Sequence, residues 1–242
     1  GFACRGIRLR QHLALADFGG TRGNDIWGWA DLTEGREYAL TGLSDGVAFV
    51  DVTDPDAPVV IGVLPTATVS STWRDIKVYA NHAFVVADAA GAHGMQVFDL
   101  RRLRGSGTGQ RFSPDHVYVE FGSAHNVAIN EASGFAYVVG SDTCGGGLHM
   151  VDVSVPVNPL FAGCHSADGD THDAHCVTYL GPDADHAGSE VCVGANENIV
   201  AVIDVTNKSA TLTLARFSYP QLGFVHQNWL SEDHRFLFLG DE

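Results

Sequence analysis

The sequence predicts an all-β fold, a β-propeller of four-stranded blades, and three observations carry that reading. The first is composition: 242 residues, 45% of them apolar, with 28 glycines and with valines and aromatics gathered in short runs, the profile of strands joined by turns. The second is a repeat. VAFVDVTDPDAP (47–58), MQVFDLRRLRG (95–105), LHMVDVSVPVNP (148–159) and VAVIDVTNKSA (200–210) each place an aspartate after an apolar run. These aspartates, Asp51, Asp99, Asp152 and Asp204, recur about every 50 residues. The third is a companion element upstream of each: NDIWGW (24–29), RDIKVY (74–79), HNVAIN (125–130) and HCVTYL (175–180), with a fifth copy, HQNWLS, at 226–231.

Each unit reads as four short strands, the signature of a propeller blade. In the second unit RDIKVY is followed by the turn Ala80-Asn81-His82, then AFVVAD, the loop AAGAHG, MQVFDL and HVYVEF. Asn and Gly stand at the turns, where positive φ is often required. A single domain of blades near 24–65, 74–121, 125–165 and 175–219 follows, with a partial fifth at 226–242. A β-sandwich is the alternative, but it does not demand so regular a period. The segment 1–23 holds a strand-like stretch, IRLRQHLAL (7–15), suited to complete the fifth unit; the other option is a piece of a longer propeller. The basic, Gly-rich stretch 101–114 reads as a long loop inside the second blade, or as a local anion-binding patch. Once-per-blade recurrence assigns Asp51, Asp99, Asp152 and Asp204 to turn chemistry.

Charge and cysteine usage bound the partners. Twenty-nine acidic residues against 14 basic give a formal net charge of −15, which repels phosphate backbones and argues against nucleic acid and anionic membranes. No apolar run approaches the ~18 residues of a membrane span. The chain starts at Gly1 without an initiator Met, the expectation for a mature or trimmed product. The five cysteines form no CxxC pair. Cys144 with Cys164, and Cys176 with Cys192, are expected as local disulfides of an oxidising compartment, with Cys4 left over.

The VDV-[ST]-x-P motifs resemble the LVIVD-type repeat. The wider run NDIWGW, WRDIKVY, GAHGMQVFDL, SAHNVAIN, CGGGLHMVDVS, FAGCHSADGDTHDAHCV and VHQNWLSED resembles the choice-of-anchor B family over nearly the whole chain. That resemblance implies a secreted or surface-attached bacterial propeller. Members of that family are typically longer, so it also implies further C-terminal strands and an anchor beyond this segment. It implies no specific chemistry.

In a propeller the first strand of each blade lines the central channel. The loop into it opens on the same face as the loop between the second and third strands. This places Asn24/Asp25, Arg74/Asp75, His125/Asn126, His175/Cys176 and His226/Gln227 at the channel mouth. His93 in its Gly-flanked loop, and His172 and Asp173 just outside, belong to the same face. His125, His175 and His226 occupy equivalent places, so their imidazoles are candidate ligands for a divalent metal such as Zn, Cu, Fe or Mn; Asp88 and Asp142 are weaker candidates for Ca. The competing structural reading has these residues hydrogen-bonding neighbouring blades and ordered water. Trp27, Trp29, Trp73 and Trp229 either pack between blades or stack on a ligand. No GxSxG elbow, P-loop or dinucleotide fingerprint occurs. The expected function is non-catalytic binding of a protein, glycan or small molecule through the His/Asp-rich face. The alternative is a metal-dependent oxidase or hydrolase using the three-His site.

Overall fold

A computed structural model describes residues 5–242. The first sheet holds β1 (Gly23–Asp31), β2 (Arg36–Leu43), β3 (Gly46–Asp51) and β4 (Val59–Pro65). The second holds β5 (Arg74–Tyr79), β6 (His82–Ala87) and β7 (Met95–Asp99). After these come a two-residue strand, β8 (Gln110–Arg111), and then β9 (His116–Tyr118), which closes the second sheet. The third is β10 (Asn126–Asn130), β11 (Phe135–Val139), β12 (Leu148–Asp152) and β13 (Leu160–His165). The fourth is β14 (Asp173–Thr178), β15 (Glu190–Asn196), β16 (Ile199–Asp204) and β17 (Leu212–Phe217). A pair, β18 (Val225–Leu230) and β19 (Leu237–Asp241), ends the order. Within each sheet sequence neighbours pair antiparallel, as a propeller blade requires.

The sheets stack face to face through apolar side chains, which explains why the middle strands carry unbroken apolar runs. β3 and β6 are buried at every position. Trp29, Tyr38, Leu40 and Phe49 of the first sheet meet Ile76, Val85 and Phe98 of the second, with the Phe49 and Phe98 rings stacked at 4.8 Å. Equivalent clusters join the second sheet to the third and the third to the fourth. The layer under β18 is smaller, built on Val193, Ala195, Val200 and Val225.

Turn chemistry repeats as faithfully as the core. Asp51, Asp99, Asp152 and Asp204 each accept a hydrogen bond from the backbone N–H two residues on, at 3.0, 3.0, 2.9 and 2.8 Å. These are the Asx turns that end each third strand. Ala80 and Asn81, at φ 47° and 62°, form the two-residue β5–β6 hairpin. Gly94 opens β7 at φ 67°, and a Cβ there would lie 2.3 Å from the carbonyl oxygen of Tyr118 on the fourth strand.

Cys144–Cys164 and Cys176–Cys192 are disulfides; Cys4 lies outside the described residues. Two expectations are corrected. Residues 7–14 form no strand and lead into a 3₁₀ turn at Leu15–Phe18. Arg10 pairs with Asp56 in the β3–β4 connection, so the segment runs along the first sheet and adds nothing to β18–β19. The stretch 101–114 is more than a loop. It contains a 3₁₀ turn (Leu100–Leu103) and β8, which pairs parallel with β4 of the neighbouring blade. Three of its four arginines, Arg101, Arg102 and Arg104, are engaged by Asp99, Asp115 and Asp31, which leaves no cluster of free cations for an anion.

Candidate functional site

The first strands β1, β5, β10, β14 and β18 lie side by side in that order. Together with β19 they line an open cavity of about 710 Å³. Alternate residues of a strand face one side, so the wall is layered, with layers about 7 Å apart. The outer layer is Asp25, Asp75, Asn126, Asp173 and Gln227; the next is Trp27, Lys77, Ala128, His175 and Trp229.

The outer layer is built by backbone pairing between blades. Asp25 Oδ2 accepts from the Ile76 N–H (3.0 Å), and Asp75 Oδ2 from the Val127 N–H (2.7 Å). Asp173 accepts from the Asn228 N–H. Asn24 and Asn126 donate their amides to the carbonyls of Arg74 and His172. Each strand thus grips the next through the same position. Asp75 also holds Lys77 Nζ at 2.8 Å, and that ammonium stands 4.5 Å from the centre of the Trp27 ring. Burial and, next, the Asp75 charge push the Asp25 carboxyl up to about 6. Burial, then Asp75, does the same to Asp173.

Above this layer three imidazoles stand in a row, but they are His125, His172 and His226. The ring centres of His125 and His172 are 4.2 Å apart, and those of His172 and His226 are 4.7 Å apart. His125 Nδ1 meets Asp88 Oδ2 at 2.9 Å, and His172 Nδ1 donates to the His226 carbonyl at 2.8 Å. Burial keeps the His172 imidazole below its ordinary range, helped by the neighbouring His125 and His226.

His175, expected in this row, sits one layer deeper. It stacks on Trp229 at 3.9 Å and its Nδ1 accepts from the Leu230 N–H at 2.9 Å. The reason is register: the residue pair equivalent to His125-Asn126 is His172-Asp173, three positions earlier. His125, His175 and His226 therefore do not converge. Among the described residues no group of three or more His, Cys, Asp or Glu is disposed to hold a metal ion.

Arg74 and His93 do not line the cavity. Both are fully buried. Arg74 donates to the Leu43 carbonyl (2.9 Å), Thr66 Oγ1 (2.9 Å) and His93 Nε2 (3.0 Å). Burial lowers His93 to about 4, which leaves its Nε2 free to accept. Asp142 is committed to the Gly122 N–H. Trp29 packs on Tyr38 in the core, while Trp27, Trp73 and Trp229 line the cavity. Sequence reasoning passed over Lys77; its signal was a lone cation at a position held by Trp in NDIWGW and HQNWLS.

Below the second layer a smaller cavity of about 250 Å³ continues along β10 and β14, and it shares Trp27, Lys77, Ala174 and Trp229 with the upper one.

Residues 121–165, the third blade, match the model of the LVIVD repeat. The chain is a propeller repeat protein. No curated protein sequence matches it. Among solved structures it is similar to a functionally unknown protein from Desulfotomaculum acetoxidans DSM 771. That match has a TM-score of 0.63 and 12% identity, over 91% of this chain and 63% of that one. The Swd1 β-propeller domain of Myceliophteria thermophila gives TM-score 0.58 at 11% identity, over 84% of this chain and 63% of that one. A Lactobacillus plantarum protein gives 0.50 at 16%, over 90% and 59%. The chain spans less than two thirds of the length of each of these structures. At such identities the likeness concerns the fold alone.

Proposed function

We propose that this chain is a secreted or surface-attached propeller that binds a ligand in its channel, with no catalysis assigned. The supporting observation is the cavity of about 710 Å³. Five consecutive inner strands each turn a hydrogen-bonding side chain toward it, and three indoles form part of its wall. Concave sites with a few convergent polar groups and aromatic walls are the usual form of a binding pocket. The two disulfides support an oxidising compartment. Among the described residues no helix is long and apolar enough to cross a membrane.

Intrinsic fluorescence gives a direct test. Three of the four tryptophans border the cavity, so filling it changes their emission. A panel of amines, amino acids and neutral saccharides is expected to yield at least one saturable change, abolished in Trp229→Ala and kept in Trp29→Phe. No saturable change across the panel, or a change insensitive to Trp229, refutes a ligand in this cavity.

A further inference from the structure

Three features of the cavity wall concern charge. Asp25, Asp75 and Asp173 stand at equivalent places on three of the five inner strands. Lys77 is the only Lys or Arg in the lining, and it is paired with Asp75. Among the described residues no Lys or Arg forms an ion pair with Asp25 or Asp173, which the Lys77 charge reaches only at longer range, whereas Asp31, Asp51, Asp99 and Asp115 each hold an arginine. Carboxylates withdrawn from water are costly unless a cation compensates them.

Lys77 shows what this wall holds well. Its ammonium lies between a carboxylate, Asp75, and the face of an indole, Trp27. A carboxylate and an indole attract the same partner, the first by charge and the second through its ring quadrupole. Asp173 and Trp229 line the same cavity on the adjacent strands β14 and β18, and among the described residues neither is in an ion-pair or cation–π contact with a Lys or Arg. Trp229 remains 54% exposed although His175 covers one of its faces. Below it the smaller cavity has a mainly apolar lining that includes Val78, Ala128, Ile129 and Val177, with Lys77, Asn130, Glu131 and His175 as its polar members.

We propose that the channel takes a small organic cation, an ammonium with an apolar body. Its charge sits with Asp173 and Asp25, and its body lies along Trp229 toward the lower chamber. This rests on the cavity-binding reading above and names the class of ligand. A neutral saccharide uses the indoles but leaves the carboxylates uncompensated, and an anion is repelled by them. Because Asp25 and Asp173 are both pushed up to about 6, a bound cation displaces their protons, and affinity rises with pH through that value.

Calorimetry with three probes tests the proposal: phenethylammonium, its neutral counterpart 2-phenylethanol, and cellobiose. Phenethylammonium is expected to bind at least tenfold more tightly than 2-phenylethanol. At pH 6 its apparent enthalpy should change with the ionisation enthalpy of the buffer, the mark of proton release. Asp173→Asn keeps an acceptor for the Asn228 N–H, so the fold survives; it and Asp25→Asn should each weaken the amine at least tenfold and leave 2-phenylethanol unchanged. Equal binding of amine and alcohol overturns the proposal. So does cellobiose binding that depends on Trp229 while the amine fails, an outcome that keeps the cavity as a binding site. Failure of all three probes also overturns it, and the fluorescence panel then judges the cavity reading on its own.

Discussion

His172 rather than His175 completes the imidazole row, and the difference is a matter of three residues. In GDTHDAHCV His175 directly precedes the apolar Cys176-Val177 while His172 precedes Asp173, so hydropathy points to the wrong histidine. The informative signal is the neighbour that ties one blade to the next. Asn24-Asp25, Arg74-Asp75, His125-Asn126, His172-Asp173 and His226-Gln227 all place a short hydrogen-bonding side chain second, and His175-Cys176 does not. The repeated turn aspartates were legible because their partner lies two residues away. Arg74 and His93 were not, because burial of a cation against carbonyls depends on the neighbouring blade. Buried histidines also predict an acid response. His93, His149 and His175 are each lowered to about 4, mainly by burial, from an ordinary value near 6.5. Their contribution is present above the unfolded value and is lost as pH falls through the folded one. Asp25 and Asp173, raised to about 6, act oppositely: their contribution is present below about 3.9 and is lost as pH rises through 6. Between pH 6 and 4 three imidazoles outweigh two carboxyls by about one proton. Stability should therefore fall by roughly 1 kcal/mol per pH unit on acidification. Thermal melts from pH 7 to 4 check this. His93→Gln, which removes one of the titrating groups, should flatten the slope, and an unchanged slope contradicts the assignment.

At the scale of single elements, the disulfides and β8 act in different ways. The Cys176–Cys192 bridge joins directly paired residues of β14 and β15, behind the wall that carries Asp173 and His175. Cys144–Cys164 ties the loop before β12 to β13. With sequence separations of 16 and 20 residues, each is worth about 3 kcal/mol through the unfolded chain. Replacing both cysteines of either pair by Ala should lower the melting temperature by several degrees, as measured by circular dichroism; no change in either double variant refutes that estimate. Both pairings were readable because each closes a short loop within one blade. β8 was not readable: two exposed residues, Gln110 and Arg111, carry no strand signal. They pair because Gly62 lets the backbone approach closely; a Cβ there would lie 2.3 Å from the Gln110 carbonyl oxygen. Gly62→Ala should release β8 and speed limited proteolysis between Arg104 and Arg111. Cleavage at the wild-type rate counts against it.

At the scale of the whole molecule, blade order was legible because a long period and alternating strands need only the chain itself. The depth of each residue along the channel was not, since it depends on the register between blades. Stacking has a further result. Each apolar layer joins only consecutive sheets, so stability is close to a sum of nearest-neighbour terms. The β18–β19 pair rests on the smallest layer, four buried residues. Its amides should exchange with solvent faster than those of β6 or β11, measurable by hydrogen–deuterium exchange. Exchange at uniform rates across the five sheets contradicts this.

Those same residues carry His226, Gln227 and Trp229 into the cavity. The sheet with the smallest apolar layer is therefore one of the walls of the cavity. β18 meets the fourth sheet through β14 and β15, and Asp173 receives the Asn228 N–H. If the proposed cation bridges Trp229 and Asp173, its occupancy is expected to be written into slower exchange of the β18 amides, with no change of shape required.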